Sequence, residues 1–108
     1  MAQPVSVTQP IIQQGCDYVD EYDWDTSTAR AICMAESSGN TNATNYNTNG
    51  STDMGLMQVN SIHADMVSGD LQSLYDPATN VRIAYAIYQS AGWRAWSTFL
   101  NGAYTKYL

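Results

Sequence analysis

Basic side chains are scarce in this chain of 108 residues. Four Lys and Arg residues stand against ten Asp and Glu residues, so the formal net charge is −6. Binding to nucleic acid irrespective of its sequence depends on basic side chains that neutralise phosphates, and the four here are scattered along the chain. The same charge balance opposes binding to an anionic membrane surface. We therefore expect neither nucleic acid nor a membrane as a partner.

Long apolar runs, histidine and cysteine are also in short supply. No apolar run approaches the ~20 residues that a membrane-spanning helix needs, so membrane insertion is not expected. With His63 as the single histidine, a catalytic triad or a histidine-based metal site has no second member, and we expect neither a metal nor a cofactor. Cys16 and Cys33 allow a single disulfide, and their spacing leaves open whether it forms.

The composition is that of one folded domain. Apolar residues make up 44% of the chain and include eight Tyr and three Trp, which excludes a disordered segment. A chain of this length has room for one core, so we predict a single domain over residues 1–108, with residues 1–9 loose. The start, MAQPVSVTQP, lacks the basic and apolar regions of a secretory signal. We therefore expect no signal peptide in this sequence, with export depending on a signal removed earlier or on something outside the chain.

Helical patterns surround one turn-rich segment. Apolar residues at helical spacing predict a helix after Pro10, and a second that begins at Asp25 or Thr26 and stops at Gly39. The pair Asn49-Gly50 predicts a tight two-residue turn between short strands, followed by a compact apolar patch over residues 55–59. Short helical stretches are predicted near residues 62–67 and 71–75.

The C-terminal third is predicted to be helical. Asp76-Pro77 is typical of a helix start, and Gly92 is expected to end that helix. A last helical segment is predicted from Trp93 to about Leu100. The buried stripe of the long helix is predicted to comprise Val81, Ala84, Tyr85, Tyr88 and Ala91. Four or so helices around a small β excursion make an α+β domain.

Two carboxylates stand out. Glu36 lies on the apolar stripe of the second helix and at its C-terminal end, and burial and the helix dipole would both raise its pKa. An acid that keeps its proton near neutral pH can protonate the leaving oxygen of a glycosidic bond. Asp53 follows a segment rich in Asn, Ser and Thr, whose donors could hold its carboxylate. Taken singly, Glu36 could be a helix-end glutamate that reaches solvent, and Asp53 could be an ordinary turn aspartate. The presence of both favours a glycosidase.

The segment 36–61 contains ESSxN at 36–40, ATN at 43–45, NTNGSTD at 47–53 and GLMQVNS at 55–61. In this order and without a gap, it resembles the catalytic region of the animal-type (chicken-type) lysozymes. The resemblance implies that Glu36 is the general acid and Asp53 the nucleophile or cation stabiliser. It further implies three substrate-binding residues around the cleft and an aromatic neighbour that keeps the acid dry: Asn47 beside Asp53, Gln58 and Asn60 in the cleft wall, and Trp93 against the acid.

Other features depart from that family. Its several disulfides are missing, and Ile62-His63 stand where it shows sugar-stacking tryptophans, so His63 becomes a candidate cleft residue. The GLMQ run, the Asp76-Pro77-x-x-Asn80 helix start and the GWRAWS stretch resemble soluble lytic transglycosylase and goose-type lysozyme domains of bacteria and phages. Those domains keep the glutamate but commonly lack an equivalent of Asp53.

The resemblances imply a small, mostly helical lysozyme-like domain that hydrolyses the β-1,4 bond between N-acetylmuramic acid and N-acetylglucosamine in peptidoglycan. One alternative is a lytic transglycosylase that uses Glu36 alone and forms 1,6-anhydromuramic ends. Another is an inactive wall-binding module on the same scaffold. We expect a monomer that acts on glycan strands in the periplasm or outside the cell, secreted or delivered by a phage. The acidic charge is unexplained by this interpretation, since bacterial walls are themselves anionic.

Overall fold

The computed structural model of the protein describes residues 14–108. The predicted loose segment 1–9 and the start of the predicted helix after Pro10 lie outside these residues. Helix α1 spans Thr26–Ser37, α2 spans Pro77–Ala91 and α3 spans Ser97–Leu100. The antiparallel strands β1 (Thr44–Tyr46), β2 (Thr52–Met54) and β3 (Val59–Asn60) lie between α1 and α2 in the order β1-β2-β3. Short 3-10 helices complete the described chain at Gly15–Glu21, Ser61–Val67, Leu71–Tyr75, Gly92–Ala95 and Ala103–Tyr107. The prediction of a mostly helical α+β domain is confirmed.

Helix α1 begins where the sequence predicts. The side chain of Asp25 accepts hydrogen bonds from the backbone amide of Ser27 (3.2 Å) and the hydroxyl of Thr28 (2.8 Å), as an N-cap does. At the other end, Ser38 is the first residue with a left-handed conformation (φ 55°), one position before the predicted Gly39 (φ 82°). The helix therefore ends through a pair of left-handed residues and not through the glycine alone.

A disulfide ties the N-terminal 3-10 helix to α1. Cys16 and Cys33 are bonded, with their Cα atoms 5.8 Å apart. Cys33 is fully buried on the same face of α1 as Ala29 and Ile32, and Cys16 is 7% exposed. The cross-link therefore holds residues 15–21 against α1, less than one turn before Glu36.

The hairpin between β1 and β2 differs from the predicted two-residue turn. The amide of Asn47 donates to the carbonyl of Ser51 (2.9 Å), and the amide of Gly50 donates to the carbonyl of Asn47 (3.1 Å). These bonds close a three-residue loop in which Gly50 takes a positive φ of 90°. Strand β3 pairs with β2 so that Asp53 lies opposite Asn60. The sequence did not predict this strand; it predicted only a compact apolar patch over residues 55–59.

Helix α2 also begins at its predicted cap. Asp76 accepts from the amide of Thr79 (3.0 Å), and Gly92 follows the last helical residue with φ 72°. Val81 and Ala84 are fully buried, whereas Tyr85 and Tyr88 are half-buried against the core. The prediction that Ala91 is buried was wrong, because the last turn of α2 extends beyond the core and residues 89–91 are exposed.

The core lies between α1, α2 and the loop that follows β2. Its fully buried side chains include Ile32, Leu56, Met57, Leu74 and Val81. Residues 14–108 contain no helix with the length and apolar character needed to span a bilayer.

Candidate active site

Glu36 and Asp53 line the same cleft. Glu36 comes from the last turn of α1 and Asp53 from the middle of β2. The cleft has a volume of about 280 Å³ and is open to solvent on one side. Nine further residues line it: Gln58, Val59, Asn60, Ile62, His63, Ile87, Ala95, Trp96 and Ser97. Among residues 14–108, no three side chains of the His, Cys, Asp and Glu types are grouped as a metal site would require.

The carboxyl group of Glu36 lies in a partly dry environment. Burial is the largest influence and raises the pKa of Glu36 above its ordinary value of 4.5. Hydrogen bonds from the hydroxyl and the backbone amide of Thr98 partly offset this rise, and the nearby charge of Asp53 adds to it. The hydroxyl of Thr98 donates to Oε2 of Glu36 over 2.8 Å. The net result is an acid that keeps its proton to higher pH than a solvent-exposed glutamate.

Thr98 is a site residue that the sequence did not predict. It lies on α3, 62 positions after Glu36 in the chain. No local pattern marks it, because its contact with the acid depends on how α3 packs beside the end of α1.

The carboxylate of Asp53 is held by amide donors on both oxygens. Asn60, directly across the β2–β3 pair, donates to Oδ1 over 2.8 Å. Asn47, at the end of the hairpin, donates to Oδ2 over 3.2 Å. Both amides also donate to the hydroxyl of Ser51, at 3.1 Å and 3.0 Å. This network fixes the direction in which Asp53 faces the cleft.

Gln58 braces the wall of the cleft. It has a positive φ of 52° and is 8% exposed. Its amide nitrogen donates to the carbonyls of Ala43 (3.1 Å) and Gly55 (3.0 Å), and its amide oxygen accepts from Asn45 (2.7 Å). Since both donor hydrogens are occupied, the side chain can offer a ligand only its remaining oxygen lone pair and its apolar surface.

Comparison with models of known protein families decides the family. Residues 21–98 match the lysozyme-like domain. The chain belongs to the lysozyme-like domain family. No curated protein and no solved structure gave a significant match. Membership of this family puts the chain among the glycosidases and transglycosylases that act on peptidoglycan, and indicates action in the periplasm or outside the cell.

The tryptophan that reaches the cleft of this lysozyme-like domain is Trp96. Its indole N–H donates to the carbonyl of Met57 over 2.8 Å, and the residue lines the same cleft as Glu36. Trp93, the predicted neighbour of the acid, is not among the lining residues and packs against Trp24 and Tyr88 instead. Trp93 belongs to the short helix Gly92–Ala95 and Trp96 follows it, and the centroids of the two rings are 6.1 Å apart. Spacing alone did not reveal which of the two would line the cleft.

His63 lines the cleft, as its place in the sequence led us to expect. It has a non-helical backbone conformation (φ −91°, ψ 22°) that kinks the 3-10 segment Ser61–Val67. Ile62, which precedes it, also lines the cleft and is 73% exposed. These two residues give the lining of the cleft an aliphatic side chain and an imidazole.

Proposed function

We propose that the protein is a muramidase that hydrolyses the β-1,4 bond between N-acetylmuramic acid and N-acetylglucosamine. In this proposal Glu36 is the general acid and Asp53 is the nucleophile or cation stabiliser. The observation that carries it is the pair of carboxyl groups on one cleft, one with its pKa raised by burial and one held by two amide donors. Unequal environments of this kind separate the roles of two acids in glycosidases.

The proposed reaction proceeds in two steps. Glu36 gives its proton to the bridging oxygen, the bond from that oxygen to C1 breaks, and Asp53 bonds to C1 or neutralises its positive charge. A water molecule then gives a proton to the Glu36 carboxylate and adds its oxygen to C1, which releases Asp53. The amides of Asn47 and Asn60 keep the Asp53 oxygens oriented through both steps. Glu36 ends the cycle protonated again.

A lytic transglycosylase is the second candidate. Its support is the resemblance of the Asp76-Pro77 helix start and the GWRAWS stretch to transglycosylase domains. In that reaction Glu36 again protonates the bridging oxygen, and the bond from that oxygen to C1 breaks. The C6 hydroxyl of muramic acid then bonds to C1 and passes its proton to the Glu36 carboxylate. The product is then a 1,6-anhydro sugar, one water lighter than the product of hydrolysis.

Mass analysis of the fragments released from purified peptidoglycan distinguishes the two reactions. We expect reducing muramic acid ends from the wild type, and a loss of roughly 10²–10⁴-fold in rate for Glu36→Gln, the range typical of a general acid. Asp53→Asn should also be strongly impaired. Glu21→Gln and Asp70→Asn are matched controls, because both residues are exposed and lie outside the cleft lining.

The outcomes that oppose the proposal differ from one another. Anhydro ends on every fragment, together with a fully active Asp53→Asn variant, would establish the transglycosylase. An unimpaired Glu36→Gln variant would remove the acid from the mechanism altogether. If the folded wild type released no fragments, a wall-binding module would remain as the explanation of the fold.

A further inference from the structure

A second cleft continues from the candidate active site. It has a volume of about 250 Å³ and is lined by His63, Met66, Ala86, Ile87, Ser90 and Ala91. His63 and Ile87 line both clefts. A ligand bound beside Glu36 and Asp53 can therefore extend into the second cleft without leaving the protein surface.

The lining of this second cleft is aliphatic. Four of its six residues are Met, Ile or Ala, and its polar groups come from His63 and Ser90 alone. Sugar-binding sites commonly use aromatic faces, and neither Tyr nor Trp lines this cleft. Met66 is 36% exposed, and a flexible methionine adapts its shape to small apolar groups. The surface suits methyl groups joined by a chain with few polar contacts.

The volume of the second cleft and the charge of its lining further restrict which ligands it could bind. One methyl group would leave most of the cleft empty, given that a single water takes up about 30 Å³ in the liquid. None of the six lining residues is acidic, although the chain as a whole carries a charge of −6. An anionic group bound in the second cleft therefore meets no carboxylate among the residues that line it.

We propose that the second cleft binds the stem peptide that muramic acid carries on its lactyl group. This inference rests on the proposed function, which brings muramic acid to Glu36. Stem peptides combine alanine methyl groups with acidic residues, and they branch from the sugar next to the bond that is cut. In the complex, the alanine methyl groups lie against Met66, Ala86 and Ile87. The imidazole of His63 and the hydroxyl of Ser90 bind the polar groups of the peptide.

The test compares two substrates that differ only in the peptide. Soluble glycan strands are used with their peptides intact and after their removal by an amidase that cuts the lactyl–alanine bond. The measured quantity is the ratio of kcat/KM for peptide-bearing strands to that for peptide-free strands. We expect the wild type to favour the peptide-bearing strands. Ala86→Leu, which fills the second cleft, should lower the ratio about tenfold, since one or two methylene groups in an apolar pocket are worth roughly 10–200-fold in specificity.

The controls keep the outcome interpretable. Ala78→Leu makes the same change at an exposed position of α2 outside both clefts, and it should leave the ratio unchanged. Ala86 is half-buried, so Ser90→Leu at an exposed position of the second cleft provides another variant if Ala86→Leu unfolds. A ratio that is the same for wild type, Ala86→Leu and Ser90→Leu would overturn the inference while leaving the muramidase proposal intact.

A binding measurement distinguishes failure of the peptide-site proposal from failure of the muramidase proposal. Retention of the Glu36→Gln variant on peptide-bearing and on peptide-free strands should differ by about the same tenfold, and filling the second cleft should abolish that difference. If the wild type cut neither substrate, the proposed function would fail on its own. Equal retention on the two kinds of strand would then refute the peptide site as well.

Discussion

Three influences set the pKa of Glu36: its burial, its hydrogen bonds with Thr98 and the charge of Asp53. Of these, only the Thr98 hydroxyl can be removed without opening the cleft or changing a charge. Thr98→Val deletes a hydrogen bond that favours the ionised carboxylate, so the pKa of Glu36 should rise further. Since the acid must be protonated to act, the alkaline limb of the pH–activity profile should move to higher pH. Rates of fragment release across the pH range measure this shift.

Thr98→Ser is the matched control for that prediction. Serine keeps the hydroxyl, so the alkaline limb should return to the position found for the wild type. Asp53 and His63 are the other titratable groups that line the cleft, and both are unchanged in these variants. A lower rate in Thr98→Val with no movement of the limb would show that Thr98 only supports the packing of α3.

The raised pKa of Glu36 also predicts a stability effect. In the folded state Glu36 binds its proton more tightly than in the unfolded state, so its ionisation opposes folding. The contribution is fully favourable below pH 4.5 and is lost as the pH rises through the raised pKa. Glu36→Gln should therefore increase the free energy of unfolding at pH 7, within the roughly 0.5–2 kcal/mol that single stabilising substitutions commonly give. Urea denaturation at pH 7 and at pH 4 measures it.

The exposed Glu21 provides the comparison for that stability effect. Glu21→Gln should leave the free energy of unfolding nearly unchanged at both pH values, because an exposed surface substitution has little effect. The gain from Glu36→Gln should shrink as the pH falls towards 4. A variant less stable than the wild type at pH 7 would mean that the carboxylate is stabilised by its surroundings after all.

At the scale of elements, helix α2 holds the loop that joins Asp53 to Gln58. The fully buried amide of Asn80 donates to the carbonyls of Met54 (2.7 Å) and Leu74 (2.9 Å). Its oxygen accepts from the amide of Met57 (2.8 Å). Gly55 lies against the same side chain, with φ 78° and no room for a Cβ. Asp53 at one end of this loop and Gln58 at the other are therefore positioned from α2.

Asn80→Asp tests these hydrogen bonds with almost no change in side-chain volume. It replaces the donor nitrogen by an oxygen that faces two carbonyl groups, and each buried polar group left unpaired costs about 1–3 kcal/mol. We expect the free energy of unfolding to fall by about 2–5 kcal/mol in urea denaturation at pH 7. Asn42→Asp, at an exposed position, should change it by less than about 0.5 kcal/mol. Equal stability of the two variants would show that the hydrogen bonds of Asn80 do not stabilise this loop.

The same elements explain what the sequence could predict. The caps of α1 and α2 were predictable because Asp25 and Asp76 bind backbone amides two or three residues away. The third strand was not, since a two-residue strand has too little pattern to be recognised. The contact of Thr98 with Glu36 and the choice of Trp96 over Trp93 depend on tertiary packing. Glu36 and Asp53 were singled out by their positions in the sequence and by the motif resemblance, whereas the cleft that both line is a property of the fold.

For the whole molecule, charge is the property that the proposed substrate makes testable. The chain carries −6 at pH 7, and bacterial walls are anionic, so protein and wall repel each other at long range. Screening acts over about 30 Å at 0.01 M ionic strength and about 10 Å at 0.1 M. The rate of clearing intact walls should therefore rise several-fold across this range, where a basic enzyme would slow down. Uncharged oligomers of N-acetylglucosamine exert no such repulsion, so the rate at which the protein cleaves them should not change with salt. Thermal unfolding measured at both salt concentrations controls for a change in stability. A clearing rate that falls with added salt would imply a local attraction strong enough to outweigh the net charge.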